Sequence, residues 1–154
     1  QEKQEPGLVD HNRDIARTPM PWDDTPHAGF STVEPWLPLT TDHASVNVAA
    51  EERDPRSMLA LHRRLIGLRR AHPALAIGEV TVLTGANDVL AYERRHGAER
   101  FVVALNFAHE PREVALIEAA GGQIVLASGL DREGETVGEL VRLGGDEAVV
   151  IALT

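Results

Sequence analysis

Two arginines four residues apart, Arg13 and Arg17, flank Asp14 and lead into the stretch "RTPMPWDDTPHAGF" over residues 17–30. A guanidinium presents a planar fork of donors that suits a carboxylate or the hydroxyls of a polar substrate. Both roles are open to these arginines, with a structural ion pair as the plainer one. Asp23 and Asp24 are the tempting carboxylate pair of the stretch, since hydrolysis commonly uses two carboxylates or a nucleophile with a base. Neighbours in an extended chain point to opposite sides. The pair therefore suits turn formation or capping better than flanking one scissile bond. Trp22 and Trp36 have faces that could stack on sugar rings. They could equally anchor the segment by burying a large indole, and anchoring is the favoured reading.

The rest of the chain offers less chemistry. Histidines stand at 11, 27, 43, 62, 72, 96 and 109, and no two lie three to five apart with a third partner, as a zinc site wants. No serine has the flanking glycines of a nucleophile elbow. Gly121-Gly122 and Gly144-Gly145 read as hairpin turns, because the lysine and helix of a phosphate loop are missing. No oxygen-ligand cluster has calcium-site spacing, so neither metal nor cofactor is expected. The absence of cysteine removes disulfides and thiol catalysis. A net charge of −9 argues against nucleic acid and anionic membranes as partners, since both need a basic face. With no signal peptide or apolar run of transmembrane length, the location expected is cytoplasmic, unless a signal lies upstream of Gln1.

Three kinds of segment must position these residues. Over 1–53 the chain is irregular, with Pro6, Pro19, Pro21, Pro26, Pro35 and Pro38 interrupting any helix. Met20, Trp22, Phe30, Trp36, Leu37 and Leu39 give this arm an apolar payload, which favours packing onto something else over disorder. Residues 54–72 predict a helix with Asp54 as N-cap and Pro55 in its first position. Met58, Leu61, Leu65 and Leu68 form its stripe, widened by Leu59 and Ile66, and Pro73 stops it. Arg63, Arg64, Arg69 and Arg70 could form an anion site, but a solvated face matched to the helix dipole is the preferred reading.

From Gly78 the period is two. Strands are expected at 79–83, 89–94, 101–107, 113–117, 123–127, 137–143 and 148–153, separated by glycine-rich turns. The fold class expected is mainly β: an antiparallel sandwich with a Greek-key crossing, over 78–154. It is preceded by the helix and linker of 54–77 and the arm of 1–53. Tyr92, Phe101 and Phe107 sit in alternating runs and read as core. The helix stripe is broader than one small sandwich needs, so the isolated chain is expected to self-associate or to carry a loosely ordered arm.

"NRDIARTPMPWDDTPHAGFS", then "EPWLPL" and "NVAAEERDPRSMLALHRRLIGLRRAHPAL", closely resembles the C-terminal part of α-glucosidases in the α-amylase superfamily. The branch is that of oligo-1,6-glucosidases and maltodextrin glucosidases, with trehalose synthases and sucrose-isomerising enzymes close by. The motifs cover roughly residues 12 to 110. The resemblance implies that the arm is the loop after the last strand of a (β/α)8 barrel, at the face where such barrels hold their active sites. It makes the helix the last barrel helix, and the sandwich the domain that follows. It places Arg17 on the glucose of the −1 subsite and Arg13 at the rim, nearer the aglycone.

Two positions depart from the pattern: Asn12 stands where relatives usually have Gly, and Pro21 where many have Gln. The two carboxylates of a retaining mechanism would come from barrel strands, and nothing in residues 1–154 matches them. The chain alone is therefore expected to be inactive. Its expected role is to position short α-glucosides and to support a barrel, its partner in the full-length enzyme. The alternatives are a free-standing sandwich that binds carbohydrate or protein, and the same portion of a trehalose synthase or sucrose isomerase. Linkage preference stays open.

Overall fold

The period-two alternation after Gly78 becomes eight strands in the computed structural model, which describes residues 17–84, 88–116 and 121–154. They are β1 (Glu79–Thr84), β2 (Val89–His96), β3 (Glu99–Asn106), β4 (Arg112–Ala115), β5 (Gly122–Ala127), β6 (Thr136–Val137), β7 (Leu140–Leu143) and β8 (Ala148–Leu153). One sheet has the order β1-β2-β3-β8-β5-β6, and a second pairs β4 with β7. All pairings are antiparallel. β8 comes last in the chain yet lies between β3 and β5, which gives the sandwich its crossed topology.

Alternate residues fill the space between the sheets. Ala91, Val102, Ile124 and Ile151 from the large sheet meet Val114, Val141 and Leu143 from the small one, all of them buried. Burying such side chains from both inner faces is what makes two sheets stable where one would not be. The fold is thus the mainly β, antiparallel sandwich that the alternation implies.

The single strand expected over 137–143 is two. Val137 belongs to β6, paired with β5, whereas Leu140 opens β7, paired with β4. The chain changes sheets at Gly138-Glu139, where the Glu139 carbonyl accepts from Leu116 N at 2.8 Å. Val137, Val141 and Leu143 face the core in one period-two phase, broken only at the exposed Glu139, and that shared phase makes the two strands read as one. Ile117, the end of another expected strand, lies outside the described residues.

Asn106 closes one end of the sandwich. It is 3% exposed, and its Nδ2 donates to the carbonyls of Glu110 (2.8 Å) and Gly144 (2.7 Å), while Oδ1 accepts from Ala108 N (3.0 Å). Arg132 does similar work beside it. Its guanidinium reaches both oxygens of Glu147 (2.9 and 3.0 Å), both of Glu135 and the Arg142 carbonyl.

Among the described residues three α-helices precede the strands: α1 (Val48–Arg53), α2 (Met58–Ala71) and α3 (Pro73–Ile77). The helix expected over 54–72 starts later. Asp54 Oδ1 accepts from Arg56 N at 2.8 Å and the Asp54 carbonyl from Ser57 N at 3.1 Å, which makes 54–57 a turn. Ser57 is the actual cap, its Oγ accepting from Ala60 N at 3.1 Å. Pro73 ends α2 as expected and also begins α3, since a proline fits a first helical position. α3 is held to the β2–β3 hairpin. Arg94 Nε donates to the Ala74 carbonyl at 3.1 Å, and Glu99 accepts from Ala74 N at 3.2 Å. The His72 ring lies edge-on to Phe101, 4.8 Å between centroids.

The chain divides into two compact units, Gln1–Ala60 and Leu61–Thr154. Among the described residues no helix is long and apolar enough to cross a membrane.

Candidate functional site

The arm is ordered by its backbone. Trp22 N and Asp23 N both donate to the Ala28 carbonyl, at 2.8 and 3.3 Å. In return the carbonyls of Pro21 and Trp22 accept from Val48 N (3.0 Å) and Ala49 N (2.9 Å), the first amides of α1. The chain reverses through His27, Ala28 and Gly29, whose φ values of 59, 55 and 63° put three successive residues in the left-handed region. Such strain persists only where the surroundings over-determine it. Here Ala28 is fully buried, and its carbonyl serves two donors.

Asp23 is a turn-capping residue. Its Oδ1 accepts from Thr25 N at 2.9 Å and from the Thr25 hydroxyl. Those bonds hold its carboxyl below the usual carboxylate range, the hydroxyl contributing most. Asp24 is exposed. The pair does not converge on one point, and the capping role expected for short acidic side chains is the one observed.

Arg17 is exposed, two residues before the buried Pro19. Arg13 lies outside the described residues. The indoles do not anchor the arm as expected: Trp22 is 51% exposed and Trp36 87%. The anchors are instead Ala28, Pro19 and the main-chain bonds to α1, none of which side-chain chemistry advertises. Of the sandwich aromatics, Phe101 is core as expected and Tyr92 half-buried, but Phe107 is 63% exposed.

The polar residue that organises the arm from behind is Asn47, 5% exposed. Its Oδ1 accepts from Ala50 N at 2.9 Å, capping α1, while Nδ2 donates to the carbonyls of His43 (2.9 Å) and Ala44 (3.3 Å). An Asn followed three residues on by small helix formers is the signal that α1 was there to be found.

Three of the described histidines each lie against a different partner. His43 Nδ1 lies 2.7 Å from the Thr40 carbonyl, His72 Nδ1 3.1 Å from Glu99, and His109 Nδ1 2.7 Å from Asp146. Among the described residues no group of three metal-ligating side chains gathers. What the arm can supply is therefore binding and orientation: a charged donor at Arg17 and apolar faces at Trp22 and Trp36, on a backbone tied to α1 at Pro21 and Trp22.

The family described as "Alpha amylase, catalytic domain" matches residues 1–78, and a domain of unknown function (DUF3459) matches residues 77–150. A probable alpha-glucosidase of Rhizobium meliloti is 41% identical over 98 residues, covering 64% of this chain and 18% of the relative. The oligo-1,6-glucosidase of Halalkalibacterium halodurans is 34% identical over 128 residues, covering 79% and 22%. Among solved structures, the trehalulose synthase MutB of Pseudomonas mesoacidophila MX-45 superposes with a TM-score of 0.84 at 32% identity, over 92% of this chain and 26% of that one. The chain thus spans about a fifth of the length of the curated relatives it matches.

Proposed function

The chain belongs to the α-amylase catalytic-domain family, and from that premise we propose that it is the C-terminal portion of a retaining α-glucosidase acting on short α-linked glucosides. The observation that carries the proposal is the arm. The family match runs over the segment in which Pro19, Pro21 and α1 fix the chain beside an exposed arginine. Retaining hydrolysis takes two carboxylates close together about the glycosidic bond. On this reading both sit on barrel strands outside the chain, and residues 1–154 contribute no catalytic group.

The work left to the chain is positioning. Arg17 would hold hydroxyls of the glucose in the −1 subsite, and Arg13 would guide the aglycone at the rim. A sugar held in a fixed orientation reacts faster because its translational and rotational freedom is already lost. Residues 1–53 act as the loop over the barrel mouth, 54–77 as last helix and linker, and 78–154 as a buttress. Separated from the barrel, the chain would cover the open face of α2 by self-association.

The test is steady-state kinetics of the full-length enzyme on isomaltose and maltose. Arg17→Ala is expected to lower kcat/KM by about 100-fold or more, the cost of losing a charged group from the transition state. A loss within about twofold would remove Arg17 from that role.

A second reading has its own support in the match to trehalulose synthase. The same arm would then serve a sucrose-isomerising enzyme. Chromatography of the products from sucrose separates the two: isomerised disaccharide favours this reading, and free glucose with fructose the first.

A further inference from the structure

We propose that Glu51 is a positioning residue for the arm, acting through α1; the inference rests on the α-glucosidase reading above. α1 has six residues, too few to persist in water from helix propensity alone. It exists because its ends are tied, and each tie leads somewhere. At its start, Asn47 caps it, and the Val48 and Ala49 amides hold the Pro21 and Trp22 carbonyls at 3.0 and 2.9 Å. One turn on, the Glu51 carboxylate accepts from Leu59 N at 2.9 Å, in the first turn of α2. The Glu51 carbonyl accepts from the Ser57 hydroxyl at 2.7 Å, and Ser57 itself is buried.

A path therefore runs from the Trp22 carbonyl by a hydrogen bond to Ala49, along the α1 backbone to Glu51, and by a second hydrogen bond to Leu59. Prolines make the arm's end of that path stiff. Pro19 and Pro21 have φ fixed by their rings, and Pro19 is buried, which leaves fewer dihedrals to absorb a shift at Pro21 before it reaches Arg17. α1 acts as a strut that sets Arg17 relative to the start of α2. Nothing in the carboxylate's exposure demands a partner as distant as Leu59. A glutamate spaced eight residues from an orphan helix amide is a specific device.

Three variants of the full-length enzyme test this: Glu51→Ala, which removes the acceptor, Glu51→Gln, which keeps an oxygen at the same reach, and Glu51→Ala combined with Arg17→Ala. Glu51→Ala is expected to lower kcat/KM for isomaltose about tenfold, since small misplacements of binding groups are costly. Glu51→Gln should stay within about twofold of the parent. If Glu51 acts through Arg17, the double variant should be little worse than Arg17→Ala alone. Hydrogen exchange at the Val48 and Ala49 amides should quicken in Glu51→Ala and not in Glu51→Gln.

A lower melting temperature with unchanged kcat/KM and additive effects would reduce Glu51 to a structural residue and overturn the inference. So would unchanged exchange at both amides. A parent enzyme inert toward every short α-glucoside, yet showing the expected exchange pattern, would sink the α-glucosidase reading and leave the strut standing as a mechanical link.

Discussion

The carboxylate of Asp23 occupies the space in which a side chain at Gly29 would begin: a Cβ built there lies 2.6 Å from Asp23 Oδ2. Gly29 also has φ +63°, the third left-handed residue in a row. Gly29→Ala would therefore expel the carboxylate that caps Thr25 and add the left-handed penalty of about 1–2 kcal/mol for an L residue. The expected result is faster hydrogen exchange at the Trp22 and Asp23 amides, which donate to the Ala28 carbonyl inside the same turn. Unchanged exchange would mean that the turn does not depend on the glycine.

Acid should loosen the same turn. The Thr25 hydroxyl and amide hold the Asp23 carboxyl below its ordinary value. A carboxylate with a depressed folded value contributes stability above its unfolded value, near 3.9, and loses it as pH falls through the folded one. Exchange-detected order at Trp22 should be level from neutral pH down to about 4 and fall below it. Asp23→Asn should flatten that acid limb.

At the closed end of the sandwich, Asn106→Ala leaves the Gly144 and Glu110 carbonyls and the Ala108 amide without their partner. Orphaned buried groups cost about 1–3 kcal/mol each, though water reaching the loop will satisfy some. A net loss of about 2–3 kcal/mol, read from the urea midpoint with unchanged slope, is expected. Asn106→Asp restores the acceptor for Ala108 and removes both donors, so it should recover little.

Nearby, His109 and Asp146 form an exposed pair, Nδ1 to Oδ2 2.7 Å. The hydrogen bond to Asp146, with its charge, raises the histidine above its ordinary value of about 6.5. A raised folded value means that the pair's contribution is complete below the unfolded value and is lost as pH rises through the folded one. Histidine ring shifts followed by NMR should give His109 a midpoint above that ordinary value, and Asp146→Asn should bring it down. Ionic strength should narrow the gap, because both side chains are open to solvent.

The parts of this structure that could be read from sequence are those where one local signal dominates. Alternation after Gly78 announced the strands, and His96-Gly97 their tightest hairpin, in which Gly97 takes φ +58°. The motif around Arg17 announced the family that the comparisons show. What stayed hidden depends on partners distant in sequence. The corner at Gly138-Glu139 keeps the phase of Val137 in Val141 and Leu143 and is decided by which strand pairs with which. The late start of α2 is decided by Ser57 and Glu51 together, against a strong local cap signal at Asp54. The exposed indoles of Trp22 and Trp36 are the reverse case. Residue type says that tryptophan buries area, but not whether the surface that would cover it belongs to this chain.

The helix α2 poses the same question on a larger scale, and it can be answered directly. No residue of α2 is buried, and Met58, Leu65 and Ile66 are all well exposed, Ile66 by 50%. Between residues 61–71 and the large sheet lie two hollows of about 260 and 220 Å³ that share Leu65, Val103 and Val150 as walls. An apolar stripe left this open in water normally recruits a cover. In the isolated 154-residue chain the available cover is a second copy. Light scattering at tens of micromolar is expected to show a dimer or larger species. Ile66→Glu should weaken the association by at least tenfold, about 1.4 kcal/mol, because it would place an unpaired charge in the seam. Arg64→Glu, at a residue that pairs with Glu133 and lines neither hollow, should leave association unchanged if the stripe is what associates. A monomeric parent chain would show instead that the hollows close on themselves, and that α2 finds enough cover on its own sheet.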